Sequence, residues 1–227
     1  LVHNGKVIAA AHEERFTRVK HDASLPINAI RFCLQEADIK AEDLEWVIHY
    51  ENPLLKFDRI LWTAIKTFPK SKLFLRETLV DWLQEGKFFV RKRLSKALGV
   101  PPSRIIYGRH HASHAASAFF CSPFQNAAVV TLDGAGEFET ATISHGIGNS
   151  IKQLSHVKFP NSIGLFYSAF TAFCGFKVNE GEYKLMGMAA FGEPKYYERI
   201  KQLIIPNSKG KFKLKQKLFE FLLPEKM

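Results

Sequence analysis

Short apolar runs bounded by turn residues predict several β-strands in this chain. The dipeptide Asn4-Gly5 favours a tight two-residue turn, so residues 2–13 are predicted to form a hairpin whose second strand is the apolar run 7–11. Consecutive strands joined by short turns pair antiparallel, and such a meander is predicted over residues 127–132, 137–144 and 151–158. Shorter strands are predicted over residues 44–50, 105–107 and 209–217.

A hydrophobic period close to that of the α-helix predicts helices between these strands. They are expected over residues 26–37, 54–98, 110–118 and 162–173. Pro69 and Gly86 divide the second of these segments into about three helices, and Ser162 is a favourable N-cap for the last. The mixture of helices and strands predicts an α/β fold.

Length and composition exclude several protein classes. With 227 residues, 46% of them hydrophobic and 24% charged, the chain can build a sizeable core, which argues against disorder, collagen and coiled coil. Its 3 cysteines are far apart, which excludes a disulfide scaffold and a four-thiolate zinc site and favours a reducing, cytoplasmic location. No apolar run is long enough to predict a membrane-spanning helix.

The formal net charge of +10 is concentrated in two segments. Residues 54–97 carry a net charge of +7 and residues 195–227 carry +6, which leaves the rest of the chain slightly negative. Such segments bind phosphates or anionic lipids, or they form solvated helix faces, and the second explanation is the simpler one. The aromatic residues within 54–98 also allow a membrane-surface or partner-binding role, although packing onto the chain's own domain is the commoner use of an apolar stripe.

A group of histidines falls within residues 110–114, at the start of a predicted helix. His110 and His114 are spaced i and i+4, so both imidazoles lie on one helix face and two ring nitrogens can reach one metal ion. His111 points elsewhere, either behind the ligands or towards a substrate. An isolated histidine is more often a core residue, whereas for this pair metal binding and a structural role both remain open.

A second motif, Asp133-Gly134-Ala135-Gly136-Glu137, directly follows the clearest predicted strand. With His110 and His114, Asp133 makes a set of two histidines and one carboxylate, which suits Fe2+ or Zn2+. Gly134 and Gly136 allow a tight turn that can bring backbone N–H groups close to a phosphate. An ordinary Asp-Gly hairpin turn is the alternative interpretation.

Two further segments carry candidate chemistry. Lys184 lies in the glycine- and methionine-rich stretch 180–192, where it would pair with a phosphate or, more simply, belong to a packed helix. The loop over residues 13–22 is densely charged and includes Lys20. Loops of this kind often carry functional residues, and a merely solvated loop is the alternative.

Together these segments resemble the N-terminal domain of the O-carbamoyltransferase family of nodulation-factor and antibiotic biosynthesis. The likeness is carried, in family order, by residues 4–22, 110–118, 131–137, 162–167 and 181–192. The family domain is similar to the tRNA threonylcarbamoyltransferases of the actin and sugar-kinase superfamily. The resemblance therefore implies a ribonuclease-H-like α/β half, with residues 54–98 as a helical insertion. Residues 1–227 would be a partial N-terminal domain that lacks its first strand and its second half, inactive alone.

The resemblance also implies a reaction. Such enzymes use ATP to move a carbamoyl group from carbamoyl phosphate, through carbamoyl-adenylate, to an acceptor hydroxyl. A further aspartate from the second half would complete the metal site. The implied site residues are His110, His114 and Asp133 for Fe2+ or Zn2+; Gly134, Gly136 and Lys184 beside the nucleotide phosphates; and Lys20 as a catalytic residue near the carbamoyl or acceptor group.

The expected partners are a small-molecule acceptor with a hydroxyl group and further copies of the chain in a homo-oligomer, with no nucleic acid and no membrane span. Two alternative functions remain open. One is a metal-dependent kinase or hydrolase of the same fold. The other is a non-catalytic module whose basic helices bind nucleic acid or a membrane surface, which is less favoured because the basic charge lies outside the segments that carry the motifs.

Overall fold

The computed structural model describes residues 1–22, 24–84, 86–208 and 210–219. The chain has a mixed α/β fold that divides into two compact units. The first unit comprises residues 1–49 and 83–107, and the second comprises residues 50–82 together with the chain from residue 108 onward. The α/β class expected from the sequence is confirmed.

The helices and strands are numbered in chain order. The helices are α1 (Glu14–Thr17), α2 (Ile27–Glu36), α3 (Pro53–Thr67), α4 (Lys72–Gln84), α5 (Val90–Leu98), α6 (His110–Phe119), α7 (Ile163–Phe173), α8 (Glu182–Ala189) and α9 (Tyr197–Lys201). The strands are β1 (Val2–His3), β2 (Lys6–Val7), β3 (Val47–His49), β4 (Ile105–Tyr107), β5 (Asn126–Leu132), β6 (Glu139–Ile147), β7 (Ser150–Lys158), β8 (Ile204–Pro206) and β9 (Phe212–Leu214).

In the first unit, β1 and β2 form the predicted hairpin. Asn4 and Gly5 both have a positive φ, as the tight turn requires. The second strand is shorter than predicted and ends at Val7, which pairs with Val2, while Lys6 pairs with His3. Strands β3 and β4 pair in parallel, and α5 packs against β4 around a core of Val90, Leu94, Val100 and Ile105.

In the second unit, β5, β6 and β7 form the predicted antiparallel meander. Helix α6 packs on one face of this sheet, where Ala115 and Phe119 meet Val129. Gly146 of β6 makes room for this contact, since an added Cβ would lie 2.7 Å from the ring of Phe119. Strand β6 begins two residues later than predicted, because Glu137 turns inward to accept backbone hydrogen bonds.

Three helices, α3, α4 and α5, occupy the segment 54–98, and Pro69 and Gly86 fall between them as predicted. Helix α3 belongs to the second unit and α5 to the first. That the segment is an insertion stays a prediction. In the described part of the chain, no helix combines the length and the apolar character that crossing a membrane requires.

The C-terminal part of the second unit contains the remaining predicted elements. Ser162 caps α7 through a hydrogen bond from the Leu165 amide, and α7 packs against α8. The strand predicted over 209–217 is present as β9, which pairs antiparallel with β8. Lys209 itself and residues 220–227 lie outside the described residues.

Candidate metal centre

Helix α6 positions its histidines through the face that it buries. His111, Ala115 and Phe119 follow an i, i+4, i+8 spacing and are buried against the sheet. The ring of His111 is hydrogen-bonded to Thr131 Oγ1 at 2.6 Å and to the Glu139 carbonyl at 2.9 Å. His111 is therefore held by the sheet, and the neighbouring face of the helix carries His110 and His114.

Asp133 completes this group from the end of β5. Side chains alternate along a strand, so the side chain of Asp133 follows that of Thr131 towards the face that α6 covers. Asp133 Oδ2 lies 2.7 Å from His110 Nε2 and 3.9 Å from His114 Nε2, and the two Nε2 atoms are 3.1 Å apart. The structure thus brings together the three residues that the sequence predicts as metal ligands.

The turn that carries Asp133 is fixed by the start of α7. Ser162 Oγ donates a hydrogen bond to the Asp133 carbonyl at 2.9 Å, and Ser162 is fully buried. Gly164 lies against the same turn, since an added Cβ would be 2.5 Å from the Gly134 nitrogen. The backbone of Asp133 therefore has little freedom to move away from α6.

The two glycines of the turn have different surroundings. The Gly134 amide donates to Asp133 Oδ1 at 2.7 Å, and the Gly136 amide donates to the Glu139 carbonyl at 3.0 Å. Both amides are thus bonded within the turn. An added Cβ at Gly136 would lie 3.0 Å from His110 Cδ2, so this glycine lets the imidazole lie close to the backbone. Phosphate binding by either glycine stays a prediction.

Glu137 connects the start of α6 to the residues before α3 through hydrogen bonds to its carboxylate. Its carboxylate is 1% exposed, and it accepts hydrogen bonds from the His110 amide at 3.2 Å and from the Asn52 amide at 2.9 Å. The His110 amide is one of the N–H groups at a helix start that have no partner within the helix. Glu137 therefore satisfies the start of α6 and holds the residues that precede α3 beside it.

The electrostatics of the cluster depend on two carboxylates that face one histidine. The hydrogen bond to Asp133 and the Glu51 carboxylate 3.4 Å from the other ring nitrogen together raise the pKa of His110 to about 9. The hydrogen bond from His110 lowers the pKa of Asp133 to about 2. Burial alone would raise the pKa of Glu51, but His110 and Lys56 outweigh it and bring that pKa to about 2. In the metal-free protein His110 therefore carries a positive charge at neutral pH.

The residues present fit a divalent cation. Two imidazole nitrogens and one carboxylate oxygen lie within 4.8 Å of one another, a donor set that Fe2+ and Zn2+ both accept. His114 is half exposed, which leaves one side of the cluster open. Catalytic metal sites keep such an open position for water or substrate.

Two glutamates contact the cluster in ways that the sequence did not predict. Glu137 lies in the motif after β5, but the sequence did not indicate its bonds to the His110 and Asn52 amides. No local pattern marked Glu51, which contacts His110 across 59 positions of the sequence. Lys184 is exposed on α8, and Lys20 belongs to the first unit. The roles expected for these two lysines stay predictions.

Comparison with known proteins finds a matching family model and several similar proteins. A family model described as carbamoyltransferase N-terminus matches residues 1–224. An uncharacterized protein of Synechocystis sp. is 44% identical over 231 residues, which cover 97% of this chain and 37% of that protein.

Two nodulation proteins also match. NolNO of Sinorhizobium fredii is 33% identical over 196 residues, covering 86% of this chain and 27% of that protein. NolO of Bradyrhizobium diazoefficiens is 41% identical over 93 residues, covering 40% of this chain and 16% of that protein. The chain therefore spans little more than a third of the Synechocystis relative and less of the two nodulation proteins.

Proposed function

Because the chain belongs to the carbamoyltransferase N-terminus family, we propose that it supplies the metal-binding part of an ATP-dependent O-carbamoyltransferase. In the proposed reaction, water releases phosphate from carbamoyl phosphate, and the resulting carbamate attacks the α-phosphorus of ATP and expels pyrophosphate to give carbamoyl-adenylate. An acceptor hydroxyl then attacks the carbamoyl carbon and displaces AMP to give the carbamate ester and a proton. The acceptor is a small molecule. The observation that supports this proposal most directly is the convergence of His110, His114 and Asp133.

The proposed fold assignment is the ribonuclease-H-like half of the actin and sugar-kinase superfamily. Its support is the three-stranded antiparallel meander β5-β6-β7, with α6 packed on one face. In this proposal residues 54–98 are an insertion into a partial N-terminal domain, and the whole protein would supply the further aspartate of the metal site.

His110, His114 and Asp133 would hold Fe2+ or Zn2+ in this proposal. When bound, the ion supplies positive charge that binds and orients phosphate oxygens. The chain's own contribution is a fixed donor set, because Ser162 and Gly164 hold the Asp133 backbone while Glu137 holds the start of α6. Preorganised groups of this kind cost little reorganisation when charge develops in the reaction.

Three further residues have proposed contacts with the substrates. The Gly134 amide would donate to a phosphate oxygen by exchanging its present bond to Asp133 Oδ1. Lys184 would pair with a nucleotide phosphate as a point charge. Lys20 would offset the negative charge that develops as the acceptor hydroxyl attacks the carbamoyl carbon.

Metal binding by the 227-residue chain tests the core of this proposal. The purified chain should bind about one equivalent of Zn2+ or, without oxygen, Fe2+, measured by competition with a chelator. His110→Ala, His114→Ala and Asp133→Ala should each abolish binding. His145→Ala is the matched control, because His145 sits near the other end of β6 and bonds to Asn126. Equal metal content in all four variants and the parent would contradict the proposal.

A transfer assay separates the proposed reaction from its rivals. The assay follows labelled carbamoyl phosphate into an acceptor, using the longest protein that contains this chain. Incorporation should require ATP and should fall by at least about 100-fold in Asp133→Asn. Transfer of the ATP γ-phosphate without any need for carbamoyl phosphate would instead support a metal-dependent kinase, and phosphate release alone would support a hydrolase.

A further inference from the structure

A second carboxylate faces the ring of His110, at the nitrogen that does not contact Asp133. Glu51 Oε2 lies 3.4 Å from His110 Nδ1, whereas Asp133 Oδ2 lies 2.7 Å from Nε2. In the described part of the chain, Nδ1 is buried and makes no hydrogen bond of good geometry, and the Glu51 carboxylate is the acceptor placed beside it. Each ring nitrogen of His110 therefore faces its own carboxylate.

We propose that Glu51 is a positioning residue that keeps the proton of His110 on Nδ1 and so presents the lone pair of Nε2 to a divalent cation. The inference rests on the proposed metal site and adds the group that orients one of its ligands. Histidines that bind a metal through one nitrogen commonly donate the other N–H to a carboxylate, which fixes the tautomer and the ring orientation.

Lys56 keeps the Glu51 carboxylate in the form that this role requires. Its Nζ atom lies 2.9 Å from Glu51 Oε1 and 3.2 Å from Oε2. An ionised carboxylate only accepts hydrogen bonds, so it cannot donate to Nδ1 and the proton must be on the imidazole. Glu51 is only 7% exposed, which limits competition from water for that proton.

The backbone on both sides of Glu51 is tied to α6. The Tyr50 carbonyl accepts a hydrogen bond from Ser113 Oγ at 2.8 Å. The Asn52 amide donates to Glu137 Oε1 at 2.9 Å, and the other oxygen of Glu137 accepts from the His110 amide. The hydrogen bonds of its two neighbours, Tyr50 and Asn52, thus hold Glu51 beside the imidazole of His110.

The geometry distinguishes this role from that of a further ligand. The mutually close donor atoms come from His110, His114 and Asp133, and Glu51 is not part of that group among the residues described. A contact with Nδ1 places Glu51 on the opposite edge of the ring from Nε2. Glu51 therefore acts on the cation through His110 and not by direct contact.

Zn2+ affinity of the 227-residue chain, measured by chelator competition, tests the inference. Glu51→Ala should weaken binding by about 10- to 100-fold, the usual effect of losing the hydrogen-bond acceptor behind a metal ligand. Glu51→Gln keeps an acceptor oxygen and should lose less. Glu182→Gln is the control, because Glu182 is a carboxylate at the start of α8 that accepts bonds from Asn179 and Ser168, and it should leave affinity unchanged.

The outcomes separate the inference from the proposed function. If the parent chain binds no Zn2+, the proposed metal site is wrong and the inference fails with it. If the parent binds and Glu51→Ala and Glu51→Gln bind within twofold of it, the role of Glu51 alone is wrong. The unfolding midpoint is measured for each variant, and if Glu51→Ala does not fold, the exchange rate of the Nδ1 proton in Glu51→Gln decides.

Nitrogen-15 NMR of the histidine side chains provides a readout that a purely structural role would not change. In the Zn2+-bound parent, His110 should be protonated on Nδ1 and ligated through Nε2. In Glu51→Gln the Nδ1 proton should exchange faster with water, while the folded backbone spectrum stays the same. Ligation of His110 through Nδ1, or an unchanged proton exchange rate in the variant, would overturn the inference.

Discussion

Helices α6 and α8 are two short helices of the second unit, and both contain residues with candidate chemistry. Helix α6 has 10 residues and buries His111, Ala115 and Phe119 against the sheet. Helix α8 has 8 residues and buries none of them. The first helix has one face fixed by packing, whereas the second has no buried residue, and its first residue, Glu182, accepts hydrogen bonds from Tyr167 and Ser168 of α7.

This difference shows what a pattern of reactive residue types needs before it becomes a site. The histidines of α6 are held in place by packing below, by Glu137 at the helix start and by the turn that carries Asp133. Lys184 of α8 is exposed. Ligand binding needs donor atoms fixed within a fraction of an ångström, so α6 is the better candidate and substitutions around it should have the larger effects.

The largest effect is expected for Gly164→Ala. The added Cβ would lie 2.5 Å from the Gly134 nitrogen and 2.6 Å from the Asp133 carbonyl carbon, which are backbone atoms that cannot rotate away. We expect a loss of at least about 3 kcal/mol in the free energy of unfolding, measured by urea denaturation.

Gly187→Ala in α8 is the matched control. Nothing lies within 4 Å of the Cβ that this substitution adds. Alanine is the better helix former, so the variant should be more stable than the parent by about 0.5–1 kcal/mol. Similar destabilisation by the two substitutions would remove the contrast between the surroundings of α6 and α8.

The second prediction compares the carboxylates at the two helix starts. Glu137→Ala would leave the amides of His110 and Asn52 without their acceptor in a buried place, at a cost of about 2–4 kcal/mol. Glu182→Ala removes bonds from Asn179 and Ser168 at a more exposed place and should cost about 1 kcal/mol. Urea denaturation of both variants measures the difference, and an equal cost would contradict the contrast.

The third prediction concerns the pH dependence of the metal-free chain. The pKa of His110 is raised to about 9, so its stabilising contribution is complete below its ordinary pKa and is lost as the pH rises through 9. The pKa values of Glu51 and Asp133 are lowered to about 2, so their contributions are complete above their ordinary values and are lost as the pH falls towards 2.

The unfolding temperature, measured with a chelator present, should therefore be highest between about pH 4.5 and pH 6.5 and fall on both sides. His110→Gln should flatten the decline between pH 6.5 and pH 9, a change on the order of 2 kcal/mol at most because the cluster is partly solvated. Lys184→Gln in α8 should leave the profile unchanged. If the unfolding temperature of His110→Gln falls above pH 6.5 as steeply as that of the parent, another group causes the decline.

The elements around the cluster could be predicted where their signals are local. The meander and α7 follow from turn residues, alternation and the Ser162 cap, and the pairing of His110 with His114 follows from helical spacing. Contacts between residues that are far apart in the sequence have no local pattern that predicts them. Glu137 bonds to Asn52, which lies 85 positions away, and Glu51 meets the helix of His110 only in the folded unit. The hydrogen-bond partners of the turn amides could not be predicted either, because they depend on the conformation that the loop adopts.

The smallest expected effect is that of Lys184→Gln on stability. The side chain is exposed, so the free energy of unfolding should change by less than about 0.5 kcal/mol, as for most surface substitutions. Measuring the ATP affinity of the same variant also tests whether α8 contributes to the site as α6 does. Loss of a phosphate contact would weaken ATP binding by the metal-loaded chain several-fold without moving the unfolding midpoint, which would show that α8 acts by charge and not by fixed geometry. Unchanged ATP affinity would leave Lys184 outside the site and confine the candidate chemistry of the second unit to α6 and the turn after β5.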